Sequence, residues 1–324
     1  MDPILSRLTL RDIGTALLDL AMPRRCIVCR RPLGLRERFI CLDCQAGFPF
    51  THFWERSHNP MADKFNALIQ HDLDTSAPAC PSCPASSGLT SSDPTPADPT
   101  LSCPTLAVPT TAACTTSAPA PCVPTPAASS LCHPEPPLCH PERSEGSSPR
   151  EPYAFAAALF FYNADSGYRR IPWHLKYEGG LAAGRHFARL LGARLAASPQ
   201  FADVDVVIPV PLHWTRHWRR GYNQAEVIAR ELASALGAGL RTDILRRSRR
   251  TRTQVRLPVA AKAANVRGAF SLRRHSQQDA RHVLLIDDTF TTGSTLNACR
   301  AVLRQAFPLP TRISVATLAF VSPD

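Results

Sequence analysis

Val283-Leu-Leu-Ile-Asp287-Asp288-Thr289-Phe290-Thr291-Thr292-Gly293-Ser294-Thr295 is the stretch on which the fold turns. Its apolar start predicts a strand over 282–286 buried on both faces, as strands of a parallel sheet are. Two acids stand at the C-terminal edge of that strand, and a loop of hydroxyls with one glycine opens a helix expected over 294–305. Open α/β sheets bind ligands outside the carboxyl ends of their strands. Loop N–H groups, the positive end of the helix and the Thr and Ser hydroxyls suit a phosphate. Like charges repel, so Asp287 and Asp288 must face the ligand's hydroxyls, or a cation, beside that phosphate. A phosphate at one end with a diol next to it describes a ribose 5-phosphate.

Upstream, Phe155–Tyr162 and Val204–Val210 read as apolar strands, and Arg312–Phe320 as a last one. Residues 179–198 carry the 3.6-residue periodicity of a helix. Asn223 is a helix N-cap, with Glu226 three residues on completing a capping-box pattern for a helix to about Leu236. Strand and helix in alternation predict an α/β fold with a mainly parallel sheet and helices on both faces.

Nearer the N-terminus, Cys26-x2-Cys29 and Cys41-x2-Cys44 each form a turn that aims two sulfurs at one ion. Four thiolate ligands satisfy tetrahedral zinc and leave no open position, so the expected site is structural. A connector with a short helix over 61–70 follows. Met1–Met22 is interrupted by Arg7, Arg11, Asp12 and Asp19, and reads as an amphipathic helix of a cytoplasmic protein rather than a signal peptide. No stretch has the length of apolar sequence that a bilayer span needs.

Residues 72–150 differ in kind. They hold 17 of the 31 prolines and 7 of the 12 cysteines, with no Phe, Tyr, Trp, Ile, Met or Lys, which leaves too little apolar surface to offset the entropy of ordering. The segment therefore reads as a disordered insertion, and its Cys-His pairs as low-complexity coincidence. Its net charge is −5, so the remaining 245 residues carry +16 against +11 for the chain. A body that basic suits a polyanionic or phosphate-rich partner.

The 283–295 pattern resembles throughout the 5-phosphoribosyl 1-pyrophosphate (PRPP) motif of type I phosphoribosyltransferases. The resemblance implies that Asp287 and Asp288 hold the ribose hydroxyls and that Thr291, Thr292, Gly293, Ser294 and Thr295 wrap the 5-phosphate. It also implies that Pro209, Val210, Pro211 and Leu212 form the pyrophosphate loop, with Mg²⁺ and cations such as Lys176, Arg219 and Arg220. Together with the cysteine ribbon, HLKYEG at 174–179, RGYNQ at 220–224, Thr253-Gln254 and Asn265–Phe270, the chain resembles the ComF family of competence-associated proteins. Those join a zinc ribbon to a phosphoribosyltransferase-like domain. One departure is Lys262, where the family usually has Arg.

The resulting map is an N-terminal helix over 1–22, ribbon and connector over 23–71, insertion over 72–150, and a phosphoribosyltransferase-like domain over 151–324. The implied function is PRPP-dependent phosphoribosyl transfer to a nitrogen acceptor, associated with DNA uptake. A second reading is a non-catalytic factor that handles single-stranded DNA alongside other competence proteins. For it the nucleic-acid candidates are Arg246, Arg247, Arg249, Arg250 and Arg252, with the Arg216–Arg220 stretch and its interleaved Trp and His. The 246–252 run reads first as a mobile loop that closes over PRPP, a role that can coexist with DNA contact.

Overall fold

The computed structural model describes residues 23–76, 150–249, 268–273 and 278–322. The expected N-terminal helix, most of the insertion, and Arg250, Arg252, Thr253, Gln254, Lys262 and Asn265 lie outside the described residues. Residues 23–76 and those described from 150 onward fall in one compact unit.

After the cysteine ribbon, with its short helix α1 (Leu42–Ala46), the chain enters helix α2, Pro60–Ser76. Asn59 starts α2: its side-chain oxygen accepts from the N–H groups of Met61 and Ala62, and Pro60 takes the first helical position, where its missing donor costs nothing. The helix runs six residues past the end expected from periodicity. Asn297 holds that extra turn by donating to Leu68 O and to Asp72 Oδ2, at 3.4 and 2.8 Å.

Strand β1 (Ala156–Tyr162) is followed by helices α3 (Arg170–Tyr177) and α4 (Leu181–Ala196). Next come β2 (Val206–Pro209), α5 (Trp214–Arg220) and α6 (Gln224–Leu236). A short β3 (Gly239–Leu240) and the antiparallel pair β4 (Leu245–Arg247) and β5 (Phe270–Leu272) lead into β6 (His282–Phe290), α7 (Ser294–Leu303) and β7 (Arg312–Val321). Asn223 caps α6 as expected by accepting from Ala225 N at 3.2 Å. Glu226 does not return the capping-box bond but accepts from Arg230 at 3.0 Å.

Five parallel strands lie in the order β1-β7-β6-β2-β3. Alternation along the buried strands splits the core. Leu284 and Ile286 of β6 pack with Phe187, Leu191, Ile228 and Leu232 of α4 and α6, whereas Val283 and Leu285 pack with Phe65 of α2 and Leu296, Cys299 and Leu303 of α7. Helices thus cover both faces.

The ribbon joins the α4 face rather than standing apart. Cys26, Ile27, Val28, Leu33, Ile40 and Cys41 belong to the same buried cluster as Phe187. Phe48 stacks on Phe187 with centroids 5.9 Å apart and meets Phe160 edge-on at 5.3 Å. Residues 49–51 also pair with the outer edge of β1 through an antiparallel Phe50–Phe160 bridge, with Phe161 N donating to Pro49 O at 3.1 Å. That pairing occupies part of an edge that would otherwise present unpaired donors and acceptors. Among the described residues, no helix is long and apolar enough to cross a membrane.

Candidate functional site

The chain leaves β2 toward β3 on one side and β6 toward β7 on the other, so the topological switch lies between β2 and β6. In open α/β sheets this is the place, outside the strand ends, where ligands bind. Ladder pairing between the two strands stops at Pro209–Ile286, and Val210 N still donates to Ile286 O at 2.8 Å. On its other edge β6 continues, pairing Asp287 with Thr317 and Phe290 with Phe320. The strand is four residues longer than its sequence pattern predicts because β7 keeps supplying partners after β2 has ended. Asp287 and Asp288 therefore stand on strand backbone directly after Ile286, the partner of Pro209 at the start of the Pro209–Leu212 turn.

Burial shapes the pair. Burial first, and the neighbouring Asp288 second, push the Asp287 carboxyl up to about 7. Asp288 is buried and meets Lys176 of α3, whose Nζ lies 3.1 Å from Asp288 Oδ1. Burial works against the Lys176 charge, but Asp288 and Asp287 outweigh it and hold the ammonium above its ordinary range. Tyr162 at the end of β1 lies in the same field, its phenol raised chiefly by burial, with Lys176 acting in the opposite direction. The site is thus an acidic pair in which Lys176 is paired with Asp288.

The loop that follows has a defined shape. Gly293 takes φ 79°, and a Cβ there would stand 2.7 Å from Phe290 Cζ and 3.0 Å from Leu68 Cδ1. Only glycine fits without displacing them. Thr292 Oγ1 lies 3.0 Å from Ser294 Oγ and accepts from Ser294 N at 3.4 Å, and Thr295 follows in the first turn of α7. From α2, Lys64 Nζ donates to Thr291 O at 2.9 Å. Sequence reasoning missed Lys64, because 227 residues separate it from its partner and nothing local marks it.

The other expected cations are placed differently. Arg219 is exposed. Arg220 turns aside, donating to Gln224 Oε1 at 2.9 Å with its guanidinium 5.0 Å from the Tyr177 ring centroid, so neither arginine is seen in contact with the acidic pair. Arg246 lies on β4, which pairs antiparallel with β5, and donates to Ser271 Oγ at 2.9 Å. Arg247 is half-buried over Phe270, close enough to Asp287 to bear on its charge, and Arg249 is exposed.

The four ribbon cysteines converge, with all their sulfurs within 4.8 Å of one another and Cys29 and Cys41 Sγ 3.6 Å apart. Tetrahedral zinc bound at about 2.3 Å sets its sulfurs about 3.8 Å apart, so the donor set fits. The Arg31 backbone N–H is the main influence lowering the Cys29 thiol to about 7, and Cys41 N donates to Cys26 Sγ at 3.4 Å. Tyr168 ties the ribbon to the sheet unit by donating to Cys44 O at 2.8 Å and Gly47 O at 2.9 Å.

Arg30, directly after Cys29, holds φ 67°, which turns the chain back so that Arg31 O accepts from Cys26 N at 2.8 Å. The left-handed region costs a non-glycine residue about 1–2 kcal/mol, and the Arg30–Glu178 ion pair is worth about 0–1 kcal/mol at its exposure. Arg30→Gly should therefore raise stability by about 1 kcal/mol, read as a higher urea midpoint at unchanged zinc content.

Fold and site together define an α/β protein with an acidic pair at a sheet switch point and four cysteines positioned to bind a metal. No family model matches the chain. It is 40% identical over 134 residues to competence protein F of Haemophilus influenzae, a match that covers 40% of this chain and 58% of that protein. It is 38% identical over 92 residues to the DNA utilization protein YhgH of Salmonella typhi, covering 28% of this chain and 40% of the relative. These matches span about half the length of the relatives concerned. Both likenesses support membership of the ComF family, which the sequence motifs resemble. Of solved structures, TT1426 from Thermus thermophilus aligns with 44% of this chain and 84% of its own at 18% identity and a TM-score of 0.26, too weak a likeness to bear on the fold.

Proposed function

We propose that this protein binds PRPP together with Mg²⁺ and transfers its phosphoribosyl group to a nitrogen acceptor, in the service of DNA utilization. The observation that carries the reading is the acidic pair of β6 standing at the switch point, directly before a hydroxyl-rich loop that opens a helix. In this reading Asp287 and Asp288 accept hydrogen bonds from the ribose hydroxyls, and Thr291–Thr295 take the 5-phosphate. The Pro209–Leu212 turn and Lys176 face the pyrophosphate. Mg²⁺, when bound with PRPP, supplies charge that the departing pyrophosphate needs.

The bond from C1 to the pyrophosphate oxygen breaks, the oxygen leaves with the electron pair, and the acceptor nitrogen bonds to C1 and gives its proton to solvent. No general base is required of the chain. Catalysis on this account is positioning and electrostatic stabilisation. Arg220, which the motif implies as a further cation for the pyrophosphate, lies over the Tyr177 ring.

The DNA context comes from the relatives, one called a competence protein and the other a DNA utilization protein. A non-catalytic DNA-handling factor is the second reading, favoured by the exposed aromatic residues on α3 and α5. Calorimetric titration of the zinc-loaded protein with PRPP tests the first. Saturable binding that needs Mg²⁺ is expected, with pyrophosphate as a competitor, and an acceptor screen for pyrophosphate release then decides turnover. Absence of PRPP binding overturns the reading, whereas binding without release with any acceptor favours the non-catalytic one.

A further inference from the structure

Helix α5 exposes two tryptophans one turn apart, Trp214 at 72% and Trp218 at 87% of full exposure. Helix α3 does the same with Trp173 at 47% and Tyr177 at 55%, their rings 5.6 Å apart. Leaving that much aromatic surface in water forgoes the burial that places such side chains in cores, so a surface of this kind marks an interaction site. The two helices are fastened together: Tyr222, just after α5, donates to Leu175 O, and Arg220 lies over Tyr177.

Charge identifies the occupant. No Asp or Glu occurs over 167–177 or over 206–223, the two segments that carry these aromatics. Arg219 and His217, both on α5, flank its tryptophans. A cavity of about 210 Å³ lined by Arg185, His217, Tyr222 and Arg230 adjoins the end of α5, with Glu226 the one acid in its wall. Exposed rings with arginines between them match a chain of unpaired bases joined by phosphates, since every base offers a π-face and each phosphate a negative charge. A duplex fits poorly because its bases are already stacked on one another. The same helix α3 presents Lys176 to Asp288, which puts this surface at the rim of the acidic site.

We propose that the α3–α5 face is the docking surface for single-stranded DNA, with bases stacked on Trp214, Trp218, Trp173 and Tyr177 and the backbone held by Arg219 and its neighbours. This deepens the DNA-utilization part of the proposed function and is independent of PRPP binding.

The test is fluorescence anisotropy of the full zinc-loaded chain with labelled oligothymidylate of about 16 nucleotides, the upper site size of a stacking platform. Trp214→Ala/Trp218→Ala should weaken binding at least about tenfold, as two lost stacking contacts require. Trp214→Phe/Trp218→Phe should keep most of it, and Arg219→Ala should lower the slope of log affinity against log salt by about 0.7. Circular dichroism and zinc content confirm that each variant is folded. Equal binding by the wild type and the Ala pair would overturn the surface while leaving DNA handling intact. A wild type that binds no oligothymidylate, prefers a duplex of equal length, or binds phosphatidylserine vesicles or a second copy of itself through these tryptophans instead would overturn the proposal outright. Asp287→Asn/Asp288→Asn should bind the oligonucleotide normally, so failure of the PRPP reading and failure of this one give different results.

Discussion

Asp287→Asn/Asp288→Asn is expected to weaken Mg²⁺-dependent PRPP binding by about 100-fold or more. Each carboxylate on this reading accepts a charge-assisted hydrogen bond worth about 1.5–3 kcal/mol, and two such bonds correspond to at least about two powers of ten in affinity. Geometry should survive, because Asn keeps the shape and the strand is held by β7 through Asp287–Thr317 and Thr289–Ala319. Calorimetry reads the loss. A double variant that binds PRPP as the wild type does would remove the acidic pair from the site.

The same pair sets a pH dependence. Asp287 is raised from its ordinary value to about 7 by burial and by Asp288. With a folded value above the unfolded one, the folded protein holds the proton more tightly. That stability is fully present below the unfolded value, falls as pH rises, and is gone above about 7. Asp287→Asn should then stabilise the ligand-free protein above neutral pH while it weakens ligand binding. PRPP affinity of the wild type should instead climb as pH rises through about 7, because the carboxylate is the form that accepts the ribose hydroxyl. Denaturant midpoints and titrations on either side of neutrality check both signs.

Stripping the metal is expected to lower the melting temperature by on the order of 10 °C, corresponding to a few kcal/mol in a unit of this size. The reason lies in shared packing. Cys26 and Cys41 are buried in the cluster that holds Phe48, Phe160 and Phe187, and burial raises the Cys44 thiol above its ordinary range. Four convergent sulfurs without an ion leave that corner of the core without its cross-link, and metal binding free energy here is folding free energy. Cys26→Ser should reproduce the loss and abolish zinc retention. Cys299→Ser should leave zinc content untouched, since Cys299 is buried beside Leu296 and Leu303 on the opposite face of the sheet. A chelator that removes zinc without moving the melting transition would show the ribbon to be a separate appendage.

Much of the site was legible because its signals are local. Two C-x2-C turns define a four-sulfur set by spacing alone, and the structure brings those sulfurs together. The apolar run before Asp287 predicted a buried strand, Gly293 carries a backbone angle that glycine tolerates best, and Asn223 caps the helix it precedes. Local chemistry was also where the reading stopped. Lys64 reaches Thr291 O from a helix far away in sequence, and that helix continues past Gln70 with Asn297 of another element bonded to Asp72. Arg219 and Arg220, adjacent in sequence and both read as pyrophosphate ligands, part company because one lies in solvent and the other over Tyr177.

The sequence by itself determined the parallel α/β class, the four-cysteine centre and the order of acids, hydroxyls and glycine along one strand and turn, because periodicity, turn chemistry and ligand spacing act over a few residues. Tertiary structure alone decided that β6 outlasts β2, that Lys176 rather than an arginine pairs with Asp288, and that the ribbon is built into the core. Those outcomes depend on which distant surfaces pack together, and no short stretch of sequence carries the free energy of that choice.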